Sequence, residues 1–590
     1  HDLMFVQWSP DGRHILFITP ESKVHIYDNT GNRLSTLPLY ALEQGGRDAN
    51  IVGVHWYDGT QGYVSTDAPV LAIGFDDGRV QITRGEHDDR PVLIDCGMDL
   101  SSINWNCNGT VLACSGTKQQ QLKNGDSREL SMVQFYAPSG QHLRTLKVPG
   151  KGINALSWEN GGLRIALAVE SFIYFANIRP DYKWGYFGNT LAYAYNKAER
   201  KEQCVVFWDT NSEEKYTKYV KNLIRIRSGG DNCVLVTKSD DGSGKFILIL
   251  CNAIGSPVDS KYIDLEPVYT AMTKYHVIVA SEESVYVWQY RTPVSKLTSL
   301  DTGTGLRRKE GRERIFHVDD TGYGGDDRIG QKVSEYDALR ARPTSDEVCS
   351  VAANGKYLIV GRSSGTIHRY TLPHLSLENK FMVRCRPHLL GINCDSTRLS
   401  IIDINGILTF FDCDEDGGTV AATSPGRMAS PGVSRMTGKQ LDFERKDSWD
   451  MVWSEDNPKL FAMMEKTRMY IFRGLEPEEP VLSSGYLCQF KDLTIRSVML
   501  DEVMASPDKP AKDMMIDYET KGLRHLRDLL NVSLEDATQY IEDNPHPRLW
   551  KLLSAASLKA LSFTLAEKSF VNCADYQGIQ FVKRLRGLKD

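Results

Sequence analysis

The stretch that decides the fold reads INALSWENGGLRIALAVESFIYFA and runs from Ile153 to Ala176. It holds short runs of β-branched, aromatic and other apolar residues, and Gly161-Gly162 separates the first run from the second. Short runs joined by a glycine turn are typical of neighbouring antiparallel strands. Pro180 cannot donate a hydrogen bond to a strand ladder, so we expect the sheet to stop near it.

The same unit occurs four times at nearly constant spacing. Its tryptophans are Trp8, Trp56, Trp105 and Trp158, at steps of 48, 49 and 53 residues, and an Asp-Gly or Asn-Gly pair follows each of them. This period, with three or four strands per unit, indicates a WD40-type β-propeller. Each tryptophan is expected to pack between blades and seal a seam, and the alternative, a tryptophan that lines a ligand site, is less favoured.

Four blades are too few for a closed ring, since ordinary WD40 propellers have about seven. The pattern therefore predicts further blades before His1, where the chain begins inside a strand pattern. One face of the Trp8 blade and one face of the Trp158 blade are expected to lack neighbours within this stretch and to be exposed.

A looser strand pattern continues to about Phe490 and predicts a second, degenerate propeller. Gly, Ser and charged residues at 302–341 and 414–440 interrupt it, and both segments are expected to be surface loops. The predicted domains are 1–183, the last four blades of a first propeller; 184–500, a second propeller; and 501–590, the start of a tetratricopeptide-like helical solenoid. The predicted fold class is mainly β with a C-terminal α region.

The helical prediction depends on spacing and on end signals. Leu523, Leu526, Leu529 and Leu530 share one face of a helix, and Ser533 is placed to cap the next helix. Pro547 is placed to open the helix after that. Phe563, Ala566 and Phe570 form a partner stripe, and a last helix begins near Gln577.

Composition limits the class of protein. At 590 residues and 41% apolar content the chain can bury several cores, on the order of three or four domains. A formal net charge of −6 argues against a dedicated nucleic-acid surface, and no run of apolar residues is long enough for a membrane span. Twelve cysteines without paired short spacings are typical of reduced thiols in a cytosolic protein.

Three stretches imitate chemical motifs, and each fails a requirement. Gly242–Lys245 resembles a phosphate loop, but Phe246 stands where Ser or Thr must hold magnesium. Gly361–Gly365 fits the letters of a hydrolase nucleophile elbow, yet a strand pattern follows it, which favours a hairpin. Asp412–Gly417 opens like a calcium loop, but Thr423 replaces the bidentate Glu. The sequence therefore predicts no catalytic residue, no cofactor-binding residue, no metal ligand and no cofactor.

A basic run leaves two interpretations open. Arg307, Arg308, Lys309, Arg312 and Arg314 are interrupted by Glu310 and Glu313. A solvated loop is the simpler interpretation, and a site for an acidic partner or a phospholipid headgroup is the other.

Several uninterrupted sequence segments resemble one family of ciliary proteins. These segments are residues 172–186, 309–314, 317–320, 461–470 and 542–550. They are similar to the WD-repeat subunits of intraflagellar transport complex A, along the whole chain. Compared with that family, this chain lacks the first blades and most of the solenoid, and it carries a Ser/Pro-rich insertion around 424–438.

The resemblance implies two tandem propellers followed by a tetratricopeptide-type solenoid, and a non-catalytic scaffold role. That role is in retrograde ciliary transport, cilium assembly and ciliary entry of membrane proteins. The implied partners are other complex A subunits, bound through propellers and helical tail, with complex B, membrane cargo adaptors and the membrane surface as further candidates and no nucleic acid. The implied location is the cilium (axoneme and basal body) and cytoplasm. A vesicle-coat-like scaffold outside the cilium is the alternative, because it would share the architecture.

Overall fold

The computed structural model describes residues 3–43, 49–57, 70–85, 88–107, 109–121, 127–160, 162–197, 200, 202–292, 313–319, 346–413 and 438–589. The chain divides into two compact units, His1–Asp181 and Tyr182–Asp590. Most of the two predicted loops, the basic run up to Arg312 and the calcium-like stretch after Cys413 lie outside the described residues.

In the first unit, the part of the chain that the structure describes forms four antiparallel sheets in chain order. The first sheet is β1 (Phe5–Trp8), β2 (His14–Ile18), β3 (Val24–Asp28) and β4 (Arg33–Thr36), and the short helix α1 (Tyr40–Glu43) follows it. The second is β5 (Ile51–Tyr57), β6 (Val70–Phe75), β7 (Arg79–Thr83) and β8 (Val92–Asp95). The third is β9 (Asp99–Trp105), β10 (Leu112–Gln121), β11 (Ser127–Tyr136) and β12 (His142–Val148). The fourth is β13 (Ala155–Trp158), β14 (Arg164–Val169) and β15 (Phe172–Asn177).

Three of the four repeat tryptophans seal a seam, as predicted. Trp56 packs against the core shared by the first and second sheets, and Trp105 is buried in the core shared by the second and third. The indole nitrogen of Trp158 donates to the Asn104 carbonyl of the third sheet at 3.2 Å. The prediction is wrong for Trp8, which is 54% exposed.

The exposed tryptophan belongs to one of two apolar faces at the ends of this unit. Val6 and Trp8 alternate on β1 and are both more than half exposed, at 53% and 54%. Ile173 and Phe175 alternate on β15 and are also exposed. Apolar side chains of the first and the last of these four sheets are therefore exposed.

The described residues of the second unit form seven sheets. The first three are β16 (Trp184–Phe187), β17 (Thr190–Asn196), β18 (Gln203–Asp209) and β19 (Lys215–Val220); β20 (Leu223–Gly229), β21 (Asn232–Lys238), β22 (Phe246–Cys251) and β23 (Pro257–Ile263); and β24 (Tyr269–Met272), β25 (His276–Ala280), β26 (Ser284–Gln289) and β27 (Glu313–His317). The fourth and fifth are β28 (Val348–Ala353), β29 (Tyr357–Arg362), β30 (Thr366–Thr371) and β31 (Leu377–Met382); and β32 (Pro387–Ile392), β33 (Arg398–Asp403), β34 (Leu408–Asp412) and β35 (Lys439–Arg445). The last two are β36 (Ser448–Trp453), β37 (Leu460–Glu465), β38 (Arg468–Arg473), β39 (Glu476–Pro477) and β40 (Val481–Leu482); and β41 (Tyr486–Lys491), β42 (Thr494–Val498) and β43 (Met515–Glu519).

One strand lies inside a segment that the sequence predicts to be a loop. Glu313–His317 form β27, which pairs with β26 as the outer strand of the third sheet. Its two faces carry charged residues, so its apolar pattern is weak. An outer edge strand tolerates such residues because backbone hydrogen bonds to the neighbouring strand hold it.

The first and last sheets of this unit meet and close the ring. Leu191 and Trp208 of the first sheet are fully buried in one cluster with Tyr486 and Val498 of the last sheet. Arg496 of β42 donates to the Tyr186 hydroxyl at 2.9 Å. Seven blades therefore form a closed propeller in which every blade has two neighbours.

A segment between β42 and β43, which we call the strap (residues 499–514), crosses this closing seam. It contains the helix α2 (Leu500–Ala505), and Leu500 and Val503 are fully buried in the seam cluster. Further along the strap, the Tyr193 hydroxyl donates to the Pro507 carbonyl at 2.6 Å.

Asp508 anchors the strap to the first sheet. Its carboxylate accepts a hydrogen bond from the Tyr195 hydroxyl and lies 3.0 Å from the Lys197 ammonium nitrogen. The Lys215 ammonium donates to the Asp508 carbonyl at 2.7 Å. Polar contacts of one residue thus hold the exposed end of the strap, while apolar burial holds the other end.

Five helices follow the last sheet: α3 (Lys521–Val532), α4 (Leu534–Asp543), α5 (Pro547–Lys559), α6 (Phe563–Asn572) and α7 (Tyr576–Lys589). Three features match the sequence prediction. The Ser533 side chain caps α4 by accepting from the Asp536 amide at 3.2 Å, Pro547 opens α5, and Ala566 is fully buried on α6.

The predicted end of the second propeller at residue 500 is wrong. β43 pairs with β42, so the last sheet extends to Glu519. The apolar spacing at the start of the strap resembles a solenoid helix, but α2 belongs to the propeller seam. The first helix of the solenoid region is therefore α3.

The first helices and the last two sheets share one core. Leu523 and Leu526 of α3 and Leu553 of α5 are fully buried in a cluster with Ala462 of β37 and Ile495 of β42. We call this core the junction. The helices and the sheets bury this apolar surface from water only while they stay in contact, so the hydrophobic effect opposes their separation.

A polar contact at the edge of the junction links α5 to the propeller. The His546 ring accepts the Arg548 amide at Nδ1 (3.1 Å), and its Nε2 lies 3.2 Å from the Asp456 carboxylate. Asp456 also accepts from Ser454 at 2.6 Å and from the Asp492 amide at 2.9 Å. Burial would raise the pKa of Asp456, but these donors, led by His546, lower it to about 2.

The seam generates the first prediction. Leu500→Ala is expected to lower the free energy of unfolding by about 2–5 kcal/mol, because it leaves a cavity at the closing contact. Leu482→Ala, at a side chain that is 76% exposed, is the matched control and should change it by less than about 0.5 kcal/mol. Denaturant unfolding followed by tryptophan fluorescence measures both, and equal effects would contradict the account of the seam.

The junction generates the second prediction. Asp456→Asn is expected to lower the free energy of unfolding at neutral pH by about 1–3 kcal/mol, because it weakens charge-assisted hydrogen bonds. The folded-state pKa of Asp456 lies below the ordinary 3.8, so the stabilisation is present above that value and is lost as pH falls towards about 2.

The measurement is urea unfolding of wild type and variant between pH 7 and pH 3. The difference between them should be constant down to about pH 4 and shrink below it. Asp264→Asn, at a side chain that is 83% exposed, controls for the loss of a surface charge. A difference that does not change with pH would show that the Asp456 charge is not what stabilises the junction.

Candidate functional site

A polar cavity of about 270 Å³ lies where the third and fourth sheets of the second unit meet. It is lined by Val318, Asp319, Asp346, Arg362, Thr366, His368 and Lys380. The first two residues follow β27, and the rest precede or belong to the fourth sheet. The lining carries two carboxylates, two cations and an imidazole, so it is the obvious place to look for chemistry.

Arg362 fixes the geometry of the cavity. Its side chain is only 5% exposed, and its guanidinium donates to the Asp319 carboxylate at 2.8 Å and to the Asp346 carbonyl at 2.7 Å. A buried guanidinium needs such partners, because an unpaired buried charge is strongly destabilising. Arg362 therefore ties the end of the third sheet to the start of the fourth.

Asp346 is held as a carboxylate by the hairpin between β29 and β30. It accepts from the Ser364 amide and the Ser364 hydroxyl, both at 2.8 Å, and from the Ser363 hydroxyl at 3.1 Å. Burial would raise the pKa of Asp346, but these hydrogen bonds and the Arg362 charge lower it. Both serine hydroxyls thus donate to an aspartate.

His368 on β30 is neutral at physiological pH. Burial, followed by the nearby charges of Lys380 and Arg362, lowers its pKa to about 4. Its Nδ1 lies 3.2 Å from the Tyr370 hydroxyl. A general base works best with a pKa near the working pH, so this imidazole is poorly suited to that role.

The parts of the cavity do not combine into a catalytic set. Ser363 and Ser364 bond to Asp346, and the imidazole of His368 bonds to Tyr370. Nucleophilic catalysis needs the base within reach of the hydroxyl that it activates. The arrangement is instead a polar network that joins two blades and leaves space for a small polar group.

Two of the three motif imitations lie in hairpin turns, as the sequence analysis favoured. Gly242–Lys245 connects β21 to β22, and Ser363–Gly365 connects β29 to β30. Gly365 has a φ of +90°, and a Cβ there would collide with the Val383 carbonyl oxygen. A tight turn requires this glycine, which explains why the stretch fits the letters of an elbow without its helix.

Of the basic run, only Arg314 is described. It lies in β27, and its guanidinium donates to the His374 carbonyl at 2.7 Å. Arg307, Arg308, Lys309 and Arg312 lie outside the described residues, so the choice between a solvated loop and an acidic-partner site stays open.

The residues that the structure describes contain no group of side chains arranged like a metal site. Within them, no three His, Cys, Asp or Glu side chains are grouped to hold a metal ion. None of the twelve cysteines, which all lie among the described residues, forms a disulfide bond. No helix in the described part of the chain is long and apolar enough to cross a membrane.

Sequence reasoning did not find the cavity. Arg362 and His368 are isolated polar residues within strand patterns, and such residues usually point to solvent. Their positions could have indicated burial. Arg362 ends one strand and His368 is central in the next, where burial on both faces is expected.

Comparison with known proteins places the chain in a family. The sequence signature described as the WDR35 second beta-propeller matches residues 184–519, and the one described as WDR35/TULP4 N-terminal matches residues 1–179. WD repeat-containing protein 35 of Rattus norvegicus is 52% identical over 590 residues, covering 100% of this chain and 49% of that protein. The Homo sapiens protein of the same name is 52% identical over 596 residues, covering 99% of this chain and 49% of that protein.

A more distant relative shares only part of the chain. Tubby-related protein 4 of Mus musculus is 25% identical over 202 residues, which covers 29% of this chain and 13% of that protein. The chain spans about half the length of the WD repeat-containing relatives that it matches. Because the second-propeller signature alone covers more than half of its residues, this chain belongs to the WDR35 family.

Proposed function

We propose that the chain is a non-catalytic scaffold subunit of intraflagellar transport complex A. In this role it acts in retrograde ciliary transport, in cilium assembly and in the entry of membrane proteins into the cilium. It works in the cilium, at axoneme and basal body, and in the cytoplasm. The family membership supports this proposal, and so does the resemblance of several sequence segments to the WD-repeat subunits of that complex.

The observation that carries the scaffold role is the junction. A closed seven-bladed ring and the first solenoid helices share one apolar core, with Leu526 and Leu553 fully buried against the last two sheets. A scaffold must hold binding surfaces at fixed relative positions. A helical array fused to a ring through a shared core meets this requirement, whereas a flexible linker does not.

The absence of catalysis is part of the proposal, and the cavity supports it. The Ser363 hydroxyl donates to Asp346, and the neutral imidazole of His368 makes its hydrogen bond with the Tyr370 hydroxyl. These polar groups therefore serve structural hydrogen bonds. Function on a propeller is decided by its site and not by the fold, and this site lacks a poised base.

The proposed partners are the other complex A subunits, bound through the propellers and the helical tail. Complex B, membrane cargo adaptors and the membrane surface are further proposed contacts, and nucleic acid is not among them. A vesicle-coat-like scaffold outside the cilium is the second candidate, because the ring-plus-solenoid architecture serves either role. Location in the cell separates the two.

The third prediction tests this proposal in a ciliated cell that expresses the tagged protein. We expect signal at the axoneme and basal body, and co-purification of complex A subunits. Leu553→Asp places a charge in the junction core and should abolish co-purification, whereas Lys551→Asp, at an exposed position of the same helix, should retain it.

Two results would contradict the proposal. Golgi signal without ciliary signal would favour the vesicle-coat alternative. Full co-purification of the Leu553→Asp variant would show that the junction does not position the partner-binding surfaces. Circular dichroism of both variants checks that the propeller remains folded.

A further inference from the structure

The turn that ends α2 presents an exposed serine in the strap. Residues 506–509 read Ser-Pro-Asp-Lys, and Ser506 is exposed. Its backbone amide donates to the Glu502 and Val503 carbonyls at 3.3 and 3.2 Å. Its hydroxyl has no hydrogen-bond partner among the residues that the structure describes, so it is available to a reagent from solution.

The residues around Ser506 suit one class of enzyme. Proline at the following position has no N–H, so it fits a kinase cleft that offers no acceptor there. A lysine three positions after the serine adds a positive charge that an acidic kinase surface attracts. A serine followed directly by proline, with a basic residue two positions after the proline, is the pattern that proline-directed serine/threonine kinases select.

A second copy of the same letters supplies an internal contrast. Ser9-Pro10-Asp11 repeats the first three residues of the turn in the first unit. Ser9 is 4% exposed, its hydroxyl donates to Asp11 at 2.6 Å, and it accepts the His14 amide at 2.9 Å. Sequence alone would rank the two serines close together, and the structure separates them by access.

We propose that Ser506 is a phosphorylation site for a proline-directed kinase and that the phosphate loosens the strap over the propeller seam. The kinase transfers the γ-phosphoryl group of ATP to the Ser506 hydroxyl oxygen. The bond from the γ-phosphorus to the oxygen bridging it to ADP breaks, the bond to Ser506 forms, and the hydroxyl proton passes to the catalytic aspartate of the kinase. The proposal does not depend on the ciliary role.

The strap loosens because of where the new charge lies. A phosphate adds about −1.5 to −2 charges at pH 7. It would lie at the C-terminal end of α2, where the helix dipole disfavours negative charge. It would also lie two residues from Asp508, whose carboxylate holds Tyr195 and Lys197.

Asp508 is ionised, so the two charges repel. Hydrogen bonds from Tyr195 and then Lys197 lower the pKa of its carboxyl group. The phosphate also competes for the Lys197 and Lys215 ammonium groups that anchor the strap. The polar end of the strap is the end that weakens, while Leu500 and Val503 stay buried.

The fourth prediction is tested with the whole chain, a purified proline-directed kinase and ATP. Mass spectrometry should place phosphate on Ser506 and none on Ser9, and Ser506→Ala should remove it. The protein carries Ser256→Ala, Ser424→Ala and Ser430→Ala, because these serines also precede proline. Hydrogen exchange of residues 500–510 should be faster by about fivefold or more after phosphorylation.

A synthetic peptide of residues 499–513 keeps a negative result informative. Phosphate on the peptide and none on the folded protein would overturn the site, because it would show that the strap shields Ser506. Phosphate on neither would also overturn it, because the sequence would then not be a substrate. Phosphate on Ser506 with unchanged exchange of the strap would overturn the proposed loosening.

Discussion

The closing contact between the first and last sheets of the second unit is the constraint on which the rest of that unit depends. Each blade of a propeller is apolar on both faces, so it buries both faces only when both neighbours are present. Trp208 and Val498, fully buried at the seam, are the residues through which the seventh sheet becomes the neighbour of the first. The strap adds the burial of Leu500 to the same contact.

In the first unit, apolar side chains lie on blade faces that no described residue covers. Trp8 on β1 and Phe175 on β15 are more than half exposed, at 54% and 60%. In the second unit, Leu191 of the first sheet and Val498 of the last sheet are fully buried against each other. Exposed apolar faces of this kind promote association.

Closure also determines where the helices can attach. β43 completes the last sheet and leads directly into α3, whose N-cap Thr520 donates its amide to the Leu493 carbonyl at 3.0 Å. The helices therefore start from a strand that the ring already holds. A ring that opened at this seam would also release the element on which the junction is built.

Much of the fold could be predicted from the sequence because its signals are local and repeated. Tryptophans at a constant period, glycine turns between short apolar runs, and the helix-start residues Ser533 and Pro547 each act within a few residues. The helix stripe through Leu523 and Leu526 was predicted for the same reason, and both side chains are fully buried.

The features that sequence reasoning missed depend on contacts between distant residues. The predicted solenoid begins at residue 501 and so includes most of the strap, and only the burial of Leu500 and Val503 beside Trp208 reveals that the strap belongs to the propeller. β27 was missed because an edge strand needs no apolar pattern. The cavity was missed because a single Arg362 gives no periodic signal.

Native-state hydrogen exchange of the whole chain tests the central claim, that ring and helices form one unit, most directly. The account predicts that amides around Leu553 in α5 and around Ala462 in β37 open with the same free energy, within about 1 kcal/mol, because the two residues share one core. Helix amides that exchange with an opening free energy near zero, while the strand amides remain protected, would contradict it.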